Sequence, residues 1–292
     1  MATLAEWVEG ARPRTLPAAL APVLAGSAVA WFEHGFQPLL AALALVVSLA
    51  LQIGVNYAND YSDGIRGTDA ARVGPMRLVG SGAAEPAQVK SAAFAGFAVA
   101  AVAGLAVVLL TGYWWLLGVG AAAILAAWFY TGGRNPYGYL GLGELFVFVF
   151  FGLVAVSGTV YIQVGTVSAS AWWTAIAIGA LACAILVANN LRDLEGDRAA
   201  GKRTLATRLG DAGTRRFFVG MVALAAVGVF GVAATSSWWA LLGWFMLVLL
   251  VGPVREVLRG VSGHGLIHVL KRTGLAELAC AAGLFVGLLI AR

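Results

Sequence analysis

Nine stretches of about twenty apolar residues recur along the chain, at roughly 16–32, 38–59, 91–110, 113–130, 144–162, 171–190, 217–234, 238–254 and 273–291. A soluble fold has nowhere to hide so much apolar surface. Of the 292 residues, 61% are hydrophobic and 11% charged, against roughly 25% charged in a soluble domain. The chain is expected to be an all-α polytopic membrane protein. Nine transmembrane helices are expected. The first stretch has no small-residue cleavage site, so it is read as a span that is kept. No composition shift or linker divides the chain, so residues 1–292 are read as a single domain.

The loops alternate in charge. The N-terminus and the segments near 60–90, 131–143, 191–216 and 255–272 hold 18 of the 19 Lys and Arg residues. The segments near 33–37, 111–112, 163–170 and 235–237 hold none, and Arg292 lies at the C-terminus. Loops rich in Lys and Arg stay on the cytoplasmic side. The N-terminus and all long loops are therefore placed inside, and the C-terminus outside, in a cell (plasma or inner) membrane. The net charge of +5 is thus a topology signal, and no nucleic-acid partner is expected.

Two acidic clusters interrupt this apolar chain, each at the cytoplasmic end of a span. The first is Asn59-Asp60-Tyr61-Ser62-Asp63, followed by Asp69; the second is Asn189-Asn190-Leu191-Arg192-Asp193, followed by Asp197. Carboxylates at membrane-helix ends are expensive to keep and point to function. Asn189, Asp193 and Asp197 are spaced by four and would form one helical stripe, as would Asn59 and Asp63. Two facing stripes offer carboxylate and amide oxygens, the donor set that suits Mg²⁺ bound together with substrate phosphates. Arg66, Arg72 and Arg77 follow the first cluster, and Arg198, Lys202, Arg203 and Arg208 follow the second. Cations beside metal-binding acids fit a diphosphate that leaves an allylic carbon. Paired helix-end acids in solvent would explain one such cluster, but two on the same membrane face are harder to explain that way.

Between the clusters, residues 128–144 bring Tyr130, Tyr137 and Tyr139, which are candidates to stack on an aromatic ring or steady a carbocation. Arg134 is a candidate to grip an acidic group, and Glu144 to contact substrate. An interfacial aromatic belt with glycine turns is the competing explanation. Arg12 and Arg14 are explained as membrane anchors or, for Arg12, as a phosphate contact. Cys183 and Cys280 are read as buried apolar residues. His264 and His268 are spaced by four but lack an acidic partner between them.

The two motifs resemble those of the UbiA superfamily of intramembrane aromatic prenyltransferases, N-D-x-x-D after the second helix and D-x-x-x-D after the sixth. Within it the chain is most similar to the MenA type. The matching stretches are ARPRTLPAALAPVLAG (11–26), NDYSDGIRGTD (59–69), RLVGSG (77–82), FYTGGRNPYGYLGLGELFVFVFFGLVAVSGT (129–159) and NNLRDLEGDRAAGKRTLATRLG (189–210). They span nearly the whole chain. Asp69 lies six residues after Asp63, where many superfamily members place the third acid four residues on.

The resemblance implies a nine-helix bundle around a central cavity capped by the cytoplasmic loops. It implies that Asn59, Asp63, Asp193 and Asp197 hold Mg²⁺ and diphosphate, with Asp60 and Asp69 in support, that Arg12, Lys202 and Arg134 contact phosphate, and that Tyr130 and Tyr137 flank the reacting centre. From their places beside the motifs, Asn189 is a further candidate ligand, and Arg66 and Arg77 are further candidate substrate contacts. The resemblance also implies a polyprenyl diphosphate donor whose tail runs toward membrane lipid, and 1,4-dihydroxy-2-naphthoate as acceptor. The ring attacks an allylic cation, and loss of carboxylate and a proton restores aromaticity. The Asp motifs fit 4-hydroxybenzoate or homogentisate equally well; only the 129–159 block favours the naphthoate. An ion-coupled transporter would place its acids near mid-membrane rather than at helix ends. Oligomeric state and tail length are not legible.

Overall fold

The computed structural model describes residues 2–67 and 76–292; the regular elements among them are all helices, with no strand. Asp69 and Arg72 lie outside the described residues. The helices are α1 (Leu4–Gly10), α2 (Pro17–Phe32), α3 (Pro38–Ile65), α4 (Pro86–Thr111) and α5 (Leu116–Phe129). Next, α6 (Gly143–Val147) runs through a π-helical stretch, Phe148–Val154, into α7 (Ala155–Val164). Then come α8 (Ala169–Arg192), α9 (Leu194–Ala199), α10 (Leu205–Thr235), α11 (Phe245–Leu258, entered through a 3-10 turn at Trp238–Trp244) and α12 (Leu266–Ile290).

Local chemistry sets these boundaries. Proline opens α2, α3 and α4, where its missing N–H costs nothing and its φ is already helical. Ser168 and Thr204 cap α8 and α10 by accepting from the Ala171 and Thr207 amides. Gly112 and Gly165 end α4 and α7 in the left-handed conformation that favours glycine.

Seven helical segments are long and apolar enough to cross a membrane, and the pair Leu4–Thr15 and Pro17–Phe32, bent by 48°, makes an eighth. The apolar α5, with 14 residues, covers the one expected stretch left over, 113–130. The expected spans therefore match helices one for one, and the chain is an integral, multi-pass membrane protein. The main departure is α10, which begins at Leu205 rather than near 217. Gly210 (φ 71°, ψ 178°) breaks it, so Leu205–Leu209 form a separate turn before the span.

Among the described residues α8 is the central helix: 72% of its apolar window is buried, against 22% for α3. It packs on α10, α12 and the π-helical stretch. Lipid tails are as apolar as leucine, so close packing rather than water exclusion holds such helices together. Two glycine crossings show it. A Cβ on Gly96 of α4 would lie 2.9 Å from Gly54 Cα of α3, and one on Gly152 would lie 2.8 Å from Gly179 Cα of α8. Leu109, Val102 and Val248 face outward, as lipid-facing residues do.

Candidate active site

One cavity of about 1260 Å³ opens among the ends of these helices, and both acidic motifs line it. Asn59 and Asp63 enter from α3; Asn189, Asp193 and Asp197 enter from the α8–α9 junction. The second motif is not on one continuous helix. α8 ends at Arg192, and Asp193 (φ −92°, ψ 5°) joins it to the short α9. The i to i+4 bonding still crosses the break: Asp193 N donates to Asn189 O at 3.1 Å, and Asp197 N to Asp193 O at 2.8 Å. All three side chains therefore stay on the cavity wall despite the break.

Cations and hydroxyls brace the acids. Lys202 Nζ lies 3.6 Å from Asp197 Oδ1 and 4.0 Å from Asp63 Oδ1, so one lysine spans both motifs. The same ammonium sits 4.5 Å from the centre of the Tyr139 ring. Tyr139 donates its hydroxyl to Asp63 Oδ1, and Arg77 Nη2 lies 3.4 Å from Asp63 Oδ2. Asn59 Oδ1 accepts from the Thr131 hydroxyl at 2.7 Å. Arg192, which the sequence reading did not single out, grips both oxygens of Asp193 at 2.7 Å each and also donates to Asn189 Oδ1 at 2.9 Å. Its fixed fork geometry suits a carboxylate.

Other expected residues sit elsewhere. Asp60 does not line the cavity. Its neighbours Asn59 and Asp63 point one way on α3, and it turns about 100° aside. Its oxygens accept the Leu78 and Val79 amides at 2.8 and 3.0 Å, which pins that loop to α3. Tyr137 is also off the wall. Its hydroxyl donates to Ala126 O at 2.8 Å and its ring stacks on Phe146, with centroids 4.1 Å apart. Burial pushes that phenol well above its usual range, so it stays a donor. Tyr130 does line the cavity.

Arg66 stands outside the wall and donates to the Thr131 and Gly133 carbonyls, with its guanidinium 5.5 Å from the Tyr139 ring centre. Arg134 is exposed and off the cavity wall. Glu144 is buried behind the wall, where Asn190 Nδ2, from a residue that lines the cavity, donates to its Oε1 at 2.8 Å. Arg12 lines the cavity from the bend before α2. Arg203 N donates to Tyr139 O at 2.9 Å, which ties the loop after the second motif to the tyrosine segment.

Among the described residues, no three acids, histidines or cysteines converge closely enough to form a metal cluster by themselves. Mg²⁺ needs no such cluster, because it keeps waters and takes one or two carboxylates beside substrate phosphates. Five amide and carboxylate side chains on one cavity fit that habit, and Lys202 and Arg77 line the same cavity.

The UbiA prenyltransferase family model matches residues 19–263. A 1,4-dihydroxy-2-naphthoate octaprenyltransferase of Mycobacterium tuberculosis is 54% identical over 284 residues, covering 96% of each chain. Among solved structures, a UbiA homolog from Aeropyrum pernix K1 superposes with a TM-score of 0.69 at 17% identity, covering 99% of each chain. A UbiA homolog from Archaeoglobus fulgidus, bound to GPP and Mg²⁺, superposes with a TM-score of 0.62 at 16% identity, covering 97% of this chain and 99% of that one. These two share the fold, and the second holds a divalent metal. With the family model covering most of its length, the chain belongs to the UbiA prenyltransferase family.

Proposed function

We propose that this protein transfers a polyprenyl group from an allylic polyprenyl diphosphate to 1,4-dihydroxy-2-naphthoate with loss of CO₂, giving demethylmenaquinol. The observation that carries the reaction is the Lys202 ammonium between Asp63 and Asp197, which joins both motifs around one cavity. The acceptor rests on the relative that is 54% identical over 96% of both chains.

Asn59, Asp63, Asn189, Asp193 and Asp197 would hold Mg²⁺, with Asp69 as a further ligand. When bound, the metal supplies charge neutralisation for the leaving diphosphate. Lys202 and Arg77 add positive charge on the same side, where charge develops as the bond breaks. The allylic C–O bond breaks with its electron pair going to diphosphate. A ring carbon supplies the pair for the new C–C bond, and the carboxylate leaves as CO₂ with its bonding pair returned to the ring. Tyr139 holds Asp63 in place through its hydroxyl, and its ring faces the Lys202 ammonium. Tyr130 presents an aromatic wall to the cationic carbon. Arg66, Asp60, Tyr137 and Glu144 support this wall from behind.

The whole chain, 1–292, works as one domain in the cell membrane, with the N-terminus and active-site loops cytoplasmic and the C-terminus outside. The prenyl tail extends toward membrane lipid.

The test uses purified protein in nanodiscs with Mg²⁺ and an allylic polyprenyl diphosphate. Separate tubes contain 1,4-dihydroxy-2-naphthoate, 4-hydroxybenzoate or homogentisate, and products are read by mass. A prenylated, decarboxylated naphthol in the first tube alone is expected, and chelation should abolish it. Product in another tube only would overturn the acceptor; undiminished turnover in chelator would overturn the metal.

A further inference from the structure

A polar network deeper in the cavity wall belongs to neither motif. Gln52, Asn56, Asn59 and Asp63 recur on one face of α3, and seven residues at about 1.5 Å each set Gln52 about 10 Å deeper than Asn59. Thr15 packs against the deep end of this stripe. Its hydroxyl donates to Arg12 O at 3.0 Å, so toward side-chain amides it can only accept. It accepts from Gln52 Nε2 and from Asn56 Nδ2, each at 3.0 Å, and Asn56 Nδ2 also reaches Ala11 O at 2.9 Å. These bonds fix the orientation of the Gln52 amide. Its nitrogen must face Thr15, and its Oε1 is then buried without a partner among the described residues. Gln52 is 8% exposed and lines the cavity.

Arg12 adds the complementary group. Its backbone is held by Thr15 in the left-handed region, φ 54° and ψ 70°, which non-glycine residues rarely adopt. Its side chain lines the same cavity, and its Nη2 is buried with no partner among the described residues. An orphan acceptor and an orphan donor on one wall are costly unless a ligand satisfies them. A diphosphate cannot satisfy both, because it offers acceptors and Gln52 Oε1 needs a donor. A hydroxylated aromatic carboxylate offers one of each. In such a molecule the hydroxyl beside the carboxylate bonds to it internally, so the second hydroxyl is the one that needs an acceptor.

We propose that Gln52 and Arg12 read the aromatic acceptor, with Gln52 Oε1 accepting its free ring hydroxyl and Arg12 Nη2 donating to its carboxylate. The inference rests on the reaction proposed above and refines it. It moves Arg12 from phosphate to acceptor, and it makes Gln52 a specificity residue.

The experiment measures binding by calorimetry in nanodiscs without diphosphate, using 1,4-dihydroxy-2-naphthoate, 1-hydroxy-2-naphthoate and 1-naphthol. Each protein is also assayed for its KM for polyprenyl diphosphate. The unsubstituted protein should favour the dihydroxy compound over 1-hydroxy-2-naphthoate by roughly tenfold, the scale of one well-made hydrogen bond. Gln52→Met should reduce that preference to within about twofold, and Arg12→Met should erase the preference for 1-hydroxy-2-naphthoate over 1-naphthol. The diphosphate KM should stay within about twofold in both, which a general packing defect would not allow. Should Gln52→Met fail to fold, Gln52→Glu serves in its place: the added charge should weaken 1-hydroxy-2-naphthoate by roughly tenfold and spare 1-naphthol. A Gln52→Met protein that keeps its hydroxyl preference would overturn the proposal, as would an Arg12→Met protein that loses only diphosphate affinity. Absence of naphthoate binding by the unsubstituted protein would instead count against the underlying reaction.

Discussion

The two acidic motifs are alike in sequence and braced in opposite ways. The first lies on an unbroken helix, and its key carboxylate is held from a distance: Asp63 is met by Tyr139, Arg77 and Lys202 from three separate segments. The second lies at a helix break, and Asp193 is held by its own neighbour, Arg192. A cross-braced carboxylate is only as well placed as the loops around it. A neighbour-braced one has a first support beside it in the chain. Asp63 should therefore report on whether the segments around it are assembled, and Asp193 should respond most to Arg192.

The largest effects should come from the acids themselves. Asp63→Asn and Asp193→Asn each remove a charge from the proposed metal and diphosphate site, and turnover should fall about 10²- to 10³-fold. Equal losses in product-formation assays would support one shared site; a near-normal Asp193→Asn enzyme would leave the first motif acting alone.

The braces come next. Tyr139→Phe and Arg192→Met each remove a group that orients a ligand, so half-saturation by Mg²⁺ should rise about 10-fold or more. The comparison sharpens if Tyr139→Phe also loosens the loop after the second motif while Arg192→Met does not. Hydrogen exchange over 200–204 reads that difference, and an unchanged Mg²⁺ response in both variants would dismiss bracing as a functional idea.

Asp60→Ala is the stability arm. It leaves the Leu78 and Val79 amides unpaired beside α3, at a cost of about 1–3 kcal/mol. A lower melting temperature with at most a few-fold loss in turnover is expected, and a loss as deep as that of Asp63→Asn would put Asp60 back at the metal. The smallest effects should come from Arg134→Ala and Tyr137→Phe. Neither residue lines the cavity, so the KM for either substrate should stay within about twofold; a marked rise for Arg134→Ala would restore it to phosphate binding.

The helices were legible because the bilayer leaves few alternatives. Every backbone group must be paired within its own segment, so hydropathy finds spans directly. Both motifs were legible as well, since polar groups are conspicuous in such a chain. What spacing could not give is which polar groups reach the cavity. Asp60 and Asp63 are three residues apart in one motif, yet one pins a loop and the other faces the site. Tyr137 and Tyr139 separate in the same way, because the 3-10 turn Tyr137–Leu140 sends one ring onto Phe146 and the other beside Lys202. Arg192 was overlooked because a residue beside an acid reads as loop charge until its guanidinium is seen to turn back. In the sequence Gln52 is one polar residue within an apolar span; its meaning depends on where the Thr15 proton goes, and sequence cannot show that.

The π-helical stretch Phe148–Val154 also bears on how the chain tolerates insertions and deletions. A π turn holds one residue more than an α turn. Loss of a single residue there would restore α geometry and leave Ala155–Val164 facing as it does now, because the wide turn already absorbs the extra residue. Thr159 would stay packed against the Gly26 position, whereas a deletion within 155–158 would rotate it about 100° off that contact. The joint forgives a change of length by one residue but not a side chain at Gly152, which would collide with α8.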